Sequence, residues 1–274
     1  MTISRKILFF LPLFVAFLLF EDIKAQILEP PVLEIPRDIS TLKENYGSGF
    51  GFNFLMNNFG FGFGGEFRQV VAPQTELTAS LRLTALRDAS EQTFTDFFFG
   101  QQIIPNKYQR AFGFPLMLGI RQRLFADVIQ EDYRFFVSAA IGPAAAFSYP
   151  YFDDINNNGF REQFANFFEP VNDVFTGWSD GEWHWGGAGE FKLGLDIGTN
   201  FARLNSVEFG YFFYYFPNSI QIMMPNQPAL RQNVPPGQSP FQFDQDGELI
   251  LEPFFEPQSF FGSPQITFTF GWFW

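Results

Sequence analysis

The clearest candidate for metal chemistry is an acidic loop near the middle of the chain. Residues 154–159, Asp-Ile-Asn-Asn-Asn-Gly, reproduce the first half of a D-x-N-x-N-G calcium loop. Oxygen ligands spaced by two residues, with a glycine for the sharp turn, suit Ca²⁺. The bidentate glutamate expected at the twelfth position is missing, because Ala165 stands there. An Asn- and Gly-rich surface turn is therefore the alternative to a Ca²⁺ site. The ligands of such a site would be Asp153, Asp154, Asn156, Asn158 and Glu162.

A hydrolase is the second chemistry to weigh. His184 is the only histidine of the chain and follows Ser179 by five residues. A nucleophilic serine needs a base within hydrogen-bond reach, and this spacing alone defines no such geometry. Since Trp183 and Trp185 flank the histidine, the segment is more simply read as an amphipathic belt at a membrane interface. We predict no catalytic residue and no enzymatic activity, with a lipid-modifying enzyme as a remote alternative.

Composition excludes several other classes of protein. The 274 residues include 43 Phe and no Cys, and they carry a net charge of −12. Without cysteine there are no disulfides, no thiol catalysis and no cysteine metal sites. The acidic balance argues against a nucleic-acid partner. Mean hydropathy is only −0.01 although 20% of the residues are aromatic. Polar residues must therefore alternate with the aromatic ones, which argues against a helical membrane protein.

The positioning elements are strands, because apolar residues recur with a period of two. The last run shows this best, with Phe270, Trp272 and Trp274 on one face and Thr269 and Gly271 on the other. Each run is about 10 residues, long enough to cross a bilayer when tilted. The apolar positions of the eight runs lie between 50 and 56, 59 and 71, 77 and 85, 112 and 120, 135 and 141, 191 and 197, 207 and 215, and 266 and 274.

The connections between these runs alternate in length. Those near residues 73–74, 125–131 and 200–204 are short, whereas 87–109, 148–185 and 217–261 are long and polar. Short turns at one end and long loops at the other are typical of an outer-membrane barrel. We predict an all-β, closed, antiparallel up-and-down transmembrane barrel of eight strands over residues 46–274. Ten strands remain possible if a long loop contains a hairpin.

The N-terminal segment resembles an export signal. Arg5 and Lys6 precede an apolar run over residues 7–20, which is too short to span a bilayer comfortably. We predict a signal peptide over residues 1–25 and a Pro-containing periplasmic segment over residues 26–45. An uncleaved N-terminal anchor is the alternative.

Charged residues share the faces opposite to the apolar ones. Five are basic and four are acidic, and an eight-stranded barrel is just wide enough for side chains to fill it. We expect these charges to form ion pairs in the barrel lumen, and a selectivity constriction is the alternative. The residues are Glu66, Arg68, Arg82, Arg121, Arg123, Glu190, Lys192, Asp196 and Glu208.

The aromatic end of the chain looks like the terminal assembly signal of outer-membrane barrels. The chain from residue 46 onward resembles small bacterial outer-membrane β-barrel proteins of the OmpA/OmpW-like kind. This resemblance implies a location in the bacterial outer membrane and contact with its lipids. It also implies recognition by the barrel assembly machinery through Phe270, Trp272 and Trp274. A secreted β-sandwich is the competing fold, with its apolar faces packed on each other.

Two prolines interrupt the strand pattern. Pro115 and Pro143 would face each other if the turn between their strands centred on Ile129. A proline removes a donor from the ladder, so the pair could mark a lateral opening in the wall. Alternatively, each proline simply ends its strand at the rim.

The long loops are acidic. Residues 148–185 carry a net charge of −6 and residues 217–261 carry −4. Such loops could bind divalent cations or basic partners, or could simply be a solvated surface. We predict an integral outer-membrane protein with a structural or surface role. Lateral or narrow-pore, porin-like passage of small hydrophobic molecules is the alternative.

Overall fold

Eight long strands pair in the order of the sequence, and the last strand pairs with the first to close an antiparallel barrel. The predicted fold class is confirmed, with eight barrel strands. They are β1 (Ser48–Asn57), β2 (Gly60–Ala72), β3 (Thr75–Leu86), β4 (Gln109–Leu124), β5 (Tyr133–Pro150), β6 (Glu182–Ile197), β7 (Arg203–Ile220) and β8 (Gln258–Phe273).

This computed structural model describes residues 46–95, 102–125, 133–164, 167–198 and 203–274. All of them belong to one compact unit, Asp38–Trp274. The predicted signal peptide, residues 1–25, and the predicted periplasmic segment, residues 26–45, lie outside the described residues. Within the described ranges, no helix is both long and apolar enough to cross a bilayer.

The period-two pattern gives each strand one outward and one inward face. On β4, Leu116, Leu118 and Ile120 are 50%, 65% and 50% exposed, while Met117 is completely buried. Successive side chains of a strand point to opposite sides of the sheet. The Phe, Leu and Ile positions of the sequence pattern therefore cover the outside of the barrel, and no second sheet packs on them in the described structure. This arrangement contradicts the sandwich.

The long loops all leave one end of the barrel, which we call the loop end; the opposite end, with the short connections, is the turn end. Each long loop contains a small two-stranded sheet apart from the barrel. The long loops thus do contain strand pairs, but these lie outside the barrel, which has eight strands and not ten. Their strands are Phe94–Thr95 with Gln102–Ile103, Gln163–Phe164 with Phe167–Phe168, and Asn226–Pro228 with Leu251–Pro253.

Backbone hydrogen bonds join the loops to one another above the barrel. The Ile222 carbonyl accepts from the N–H groups of Tyr108 (2.8 Å) and Gln109 (3.0 Å). The Tyr108 carbonyl accepts from Tyr151 (2.8 Å), whose own carbonyl accepts from Asn172 (2.9 Å). The described parts of the three loops thus continue the sheet beyond the barrel and hold one another in place.

Candidate functional site

The barrel interior divides into two layers. All nine predicted lumen residues point inward and are buried, and with Glu76 they form the charged layer, which fills the middle and the turn-end part of the barrel. Within its own strand, Arg82 lies nearer the loop end of β3. Toward the loop end, the interior is filled by buried aromatic and aliphatic side chains, which we call the aromatic layer. The aromatic layer comprises Leu86, Ala111, Met117, Ala144, Ala146, Ala188, Phe212, Tyr214, Phe216, Ile220, Ile222 and Phe261.

The strongest contact of the charged layer crosses the lumen from β3 to β6. Arg82 donates from Nη1 to Glu190 Oε2 (2.6 Å) and from Nη2 to Glu190 Oε1 (2.9 Å), which is a bidentate pair. Lys192 Nζ lies 3.0 Å from Glu190 Oε1, and the Gln265 amide donates to Glu190 Oε2 at 2.7 Å. Glu190 is thereby saturated by donors from three strands.

The rest of the charged layer is a connected network. Arg68 Nε lies 2.6 Å from Glu66 Oε1, and Lys192 Nζ lies 2.5 Å from Glu208 Oε2. Arg121 pairs with Asp196, and its guanidinium carbon lies 3.2 Å from the ring centroid of Phe136. These contacts link β4, β5, β6 and β7 across the interior. Arg68 Nη2 lies 3.5 Å from Glu208 Oε1 and joins β2 to the same network.

Sequence reasoning overlooked one member of the network. Glu76 on β3 is 1% exposed, and its Oε1 lies 2.6 Å from Arg123 Nη2. It also approaches Arg68 and Arg121. The signal was present, because residue 76 has the same parity as Arg82 on the same strand. With Glu76, five cations face five carboxylates, so the charged layer is electrically neutral.

The aromatic layer was also overlooked. Phe212, Tyr214 and Phe216 of β7 are 0–1% exposed and point inward. Tyr214 and Thr84 share a hydrogen bond of 2.7 Å between their hydroxyls. The available signal was the unbroken aromatic run over residues 211–216, where the polar face of the strand disappears. A run that is apolar at both parities indicates an apolar interior as well as an apolar exterior at this level of the barrel.

The two prolines neither oppose each other nor end their strands. Pro115 is paired with Ala144 and is buried, whereas Pro143 is paired with Gly187 and points outward. The register between β4 and β5 is one residue away from the predicted one, and a shift of one residue reverses which face a side chain occupies. The prediction of facing prolines is therefore wrong.

The wall also stays closed between these strands. Pairing of β4 with β5 skips Leu116 and Met117 but resumes in the same register at Leu118. A Cβ on Gly142 would lie 2.1 Å from the Leu116 carbonyl oxygen, so the two backbones are in close contact there. Pro143 removes one donor from the ladder without separating the strands. The lateral opening is not formed.

The acidic loop uses its predicted calcium ligands to hold itself together. Asp154 accepts from the N–H groups of Asn158 (3.0 Å) and Gly159 (2.9 Å), and from the Tyr108 hydroxyl (3.3 Å). Burial, reinforced by Asp154, raises the pKa of Tyr108 to about 12. The Asn156 and Asn158 amides both donate to Glu162 Oε1, at 3.0 and 2.8 Å.

Hydrogen bonds thus bring Asn156, Asn158 and Glu162 together, and the Asn158 N–H joins Asp154 to them. Asp153 accepts from the Asn172 amide at 2.9 Å, away from the other predicted ligands. Across the described residues, no group of three acidic or histidine side chains is placed to hold a metal ion. Hydrogen bonds within an Asn- and Gly-rich turn account for the arrangement of these side chains, and the Ca²⁺ site stays a prediction.

His184 and Ser179 do not form a catalytic pair. Ser179 Oγ donates to Asp180 Oδ2 at 3.3 Å, whereas His184 Nε2 lies 2.9 Å from Ser148 Oγ. His184 lies on β6 and points toward the barrel interior, because it has the same parity as Glu190. Ser148 is 1% exposed, so no substrate could reach its hydroxyl in this arrangement.

Comparison with solved structures finds the N-terminal β-barrel domain of Pseudomonas aeruginosa OprF. The similarity covers 82% of this chain and 98% of that domain, at 8% sequence identity and a TM-score of 0.33. No family model and no curated protein sequence matches the chain. The eight-stranded architecture of this chain therefore rests on its own strand pairing.

Proposed function

We propose that the protein is a non-enzymatic integral protein of the bacterial outer membrane, with a structural or surface role and acidic loops outside the cell. One observation carries the proposal: the barrel is apolar around its outside, whereas the ten charged strand residues of the charged layer are buried inside. A water-soluble protein has the reverse distribution, and its apolar patches rarely exceed a few hundred Å².

The apolar exterior runs around the whole barrel. Every barrel strand contributes large apolar side chains that are more than a third exposed, and Ile141 on β5 reaches 71%. Such a surface is stable only where acyl chains replace water. Representatives of the eight strands in order are Phe52, Phe63, Leu81, Leu118, Ile141, Leu193, Phe209 and Phe270.

Aromatic side chains mark both edges of this surface. Trp183 and Trp185 are 55% and 70% exposed at the loop end, and Trp272 and Trp274 are 52% and 56% exposed at the turn end. From Trp185 to Ile197, β6 extends about 40 Å, which is about 30 Å along the axis of a barrel whose strands tilt by about 40°. This height is comparable to the apolar band of outer-membrane barrels, whose edges carry aromatic girdles.

The filled interior disfavours the passage alternative. In the described structure, the charged layer and the aromatic layer lie one behind the other along the barrel axis. Arg68, Arg82 and Phe216 are each at most 2% exposed. A solute would have to displace paired charges and packed rings together. We therefore propose a role at the membrane surface rather than in transport.

The proposal includes a partner for assembly. Phe270 and Trp272 of β8, followed by Trp274, project outward from the strand that closes the barrel against β1. An assembly factor that receives this strand could bind the three rings. Alanine at both 270 and 272 should then slow insertion into vesicles that contain a barrel-assembly complex more than insertion into protein-free vesicles. An equal slowing in both would argue against recognition.

A matched pair of arginine substitutions tests the membrane location. Leu118 points outward in the middle of β4 and is 65% exposed, whereas Ile155 is 61% exposed in a loop. Leu118→Arg should lower the free energy of unfolding in phospholipid vesicles by about 2–4 kcal/mol. Ile155→Arg should change it by less than about 0.5 kcal/mol. Equal effects of the two substitutions would contradict the proposal.

A further inference from the structure

A cavity of about 490 Å³ opens at the loop end, above the ends of β3, β4 and β5. Its volume lies within the range of small-molecule pockets, about 300–1,000 Å³. Phe59, Leu86 and Ala111 supply apolar lining, and Leu86 and Ala111 belong to the aromatic layer. Phe112 and Tyr149 add stacked rings 5.9 Å apart. The cavity thus lies at the rim, between the top of the filled lumen at Leu86 and Ala111 and the outward-facing positions of Phe112 and Tyr149.

Three cations line the same cavity. Among the described residues, Arg87, Lys107 and Arg110 contribute to its wall, together with one carboxylate, Glu91. Lys107 Nζ lies 3.0 Å from Glu91 Oε1, and Arg87 Nε lies 3.5 Å from the same oxygen. One carboxylate oxygen therefore pairs with two cations, and the described lining residues carry three positive charges against one negative charge. By contrast, the two longer loops are strongly acidic.

The charge of Arg110 is held in place without being neutralised at close range. Its guanidinium donates to the backbone carbonyls of Asp173 (3.0 Å) and Asn172 (2.8 Å) and lies 4.6 Å from the Tyr151 ring centroid. The Asp173 carboxylate is outside the cavity lining. It accepts instead from the N–H groups of Phe175 (2.7 Å) and Thr176 (2.8 Å).

Arg87 keeps donors available. Its Nη2 donates to the Glu91 carbonyl (2.9 Å) and to Thr93 Oγ1 (3.1 Å), while Nη1 donates to none of the described residues. Lys107 is 8% exposed, and burial lowers its pKa, as do the charges of Arg110 and Arg87, although Glu91 opposes them. An anion in the cavity would offset this repulsion among neighbouring cations.

We propose that this cavity binds a small amphipathic organic anion. Its carboxylate or phosphate group lies among Arg87, Lys107 and Arg110, and its apolar body packs on Leu86, Phe59 and Phe112. This proposal does not depend on the membrane location, because the cavity is formed by the loop end alone.

Calorimetric titration of the full chain in detergent micelles tests the proposal with three probes. We expect saturable binding of 3-phenylpropanoate at millimolar concentrations. The neutral 3-phenylpropan-1-ol, which keeps the ring and loses the charge, should bind at least about tenfold more weakly. Inorganic phosphate, which has the charge without the apolar body, should also bind more weakly. Equal binding of acid and alcohol, or no saturable binding of the acid up to about 10 mM, would overturn the proposal.

Two neighbouring substitutions should shift the affinity in opposite directions. Arg87→Gln removes a cation and should weaken 3-phenylpropanoate binding by about tenfold. Glu91→Gln removes the only carboxylate among the described lining residues and should tighten binding several-fold. Arg231→Gln, in an exposed loop position outside this cavity, is the matched control and should leave the affinity unchanged. If Arg87→Gln and Glu91→Gln shift the affinity in the same direction, or neither shifts it, the anion does not bind at this cavity.

Discussion

The two halves of the lumen are both filled by side chains, but different interactions hold those side chains in place. The charged layer fills its half with ten ionisable side chains whose charges cancel, whereas the aromatic layer fills its half with rings and small apolar groups. In the charged layer a side chain depends on the identity of its partners, since an unpaired buried charge is costly. In the aromatic layer a side chain depends mainly on volume. The two layers should therefore respond differently to substitution.

The largest effect should come from breaking a pair in the charged layer. Arg82→Met keeps most of the side-chain volume but leaves five carboxylates facing four cations. We expect the free energy of unfolding to fall by about 3–5 kcal/mol. Reversible urea unfolding in phospholipid vesicles measures it.

The double substitution Arg82→Met with Glu190→Gln separates pairing from volume. It should cost less than the sum of the single substitutions, with a coupling of at least about 1 kcal/mol. Additive losses would show that the bidentate contact contributes no specific stabilisation.

A smaller effect should follow from a change of shape in the aromatic layer. Phe216 is completely buried and its ring stacks with Tyr214 at 5.7 Å. Phe216→Leu keeps the residue apolar and should cost about 1–2 kcal/mol. The same urea titration serves, and a loss as large as that of Arg82→Met would erase the distinction between the layers.

Removing one polar contact within the aromatic layer should matter less still. Tyr214→Phe deletes the hydroxyl that shares a hydrogen bond with Thr84 and keeps the ring. We expect a loss of about 0.5–1.5 kcal/mol. Thr84→Ser retains the hydroxyl and is the control, for which a change well below that of Tyr214→Phe is expected.

The smallest effect should come from calcium. The Asp154 oxygens already accept three hydrogen bonds, and Asn156 and Asn158 present donors to Glu162. Millimolar CaCl₂ should therefore leave the Tm unchanged, for the wild type and for Asp154→Asn alike. A rise in Tm for the wild type alone would show that calcium binds at the loop.

The barrel could be predicted from sequence because its exterior has one strict rule. Residues such as Leu116, Leu118 and Ile120 must alternate with inward residues, and the alternation survives in the primary structure. The inward charges of the charged layer could be found by the same parity. The loop-end parts of β5 and β6 could not be predicted in this way. Residues 144–146 and 186–189 are small on both faces and show no alternation.

The register between strands and the contacts across the lumen could not be predicted from the sequence pattern. One residue of register decides whether Pro143 faces Pro115 or points to the other side of the barrel wall, and the alternation within each strand does not specify that register. Likewise, the pairing of His184 with Ser148 depends on the register of β5 with β6. The cavity at the loop end depends on how three separate loops meet, which local sequence does not specify.

The most direct test of the account is site-directed spin labelling along β4 in phospholipid vesicles. The chain contains no cysteine, so single-cysteine variants at 116, 117, 118, 119 and 120 can each carry one label. We predict high accessibility to oxygen and low accessibility to a water-soluble nickel complex at 116, 118 and 120. Positions 117 and 119 should be shielded from both. Labels at 116, 118 and 120 that the nickel complex reaches freely would contradict a barrel whose apolar outer face is covered by lipid.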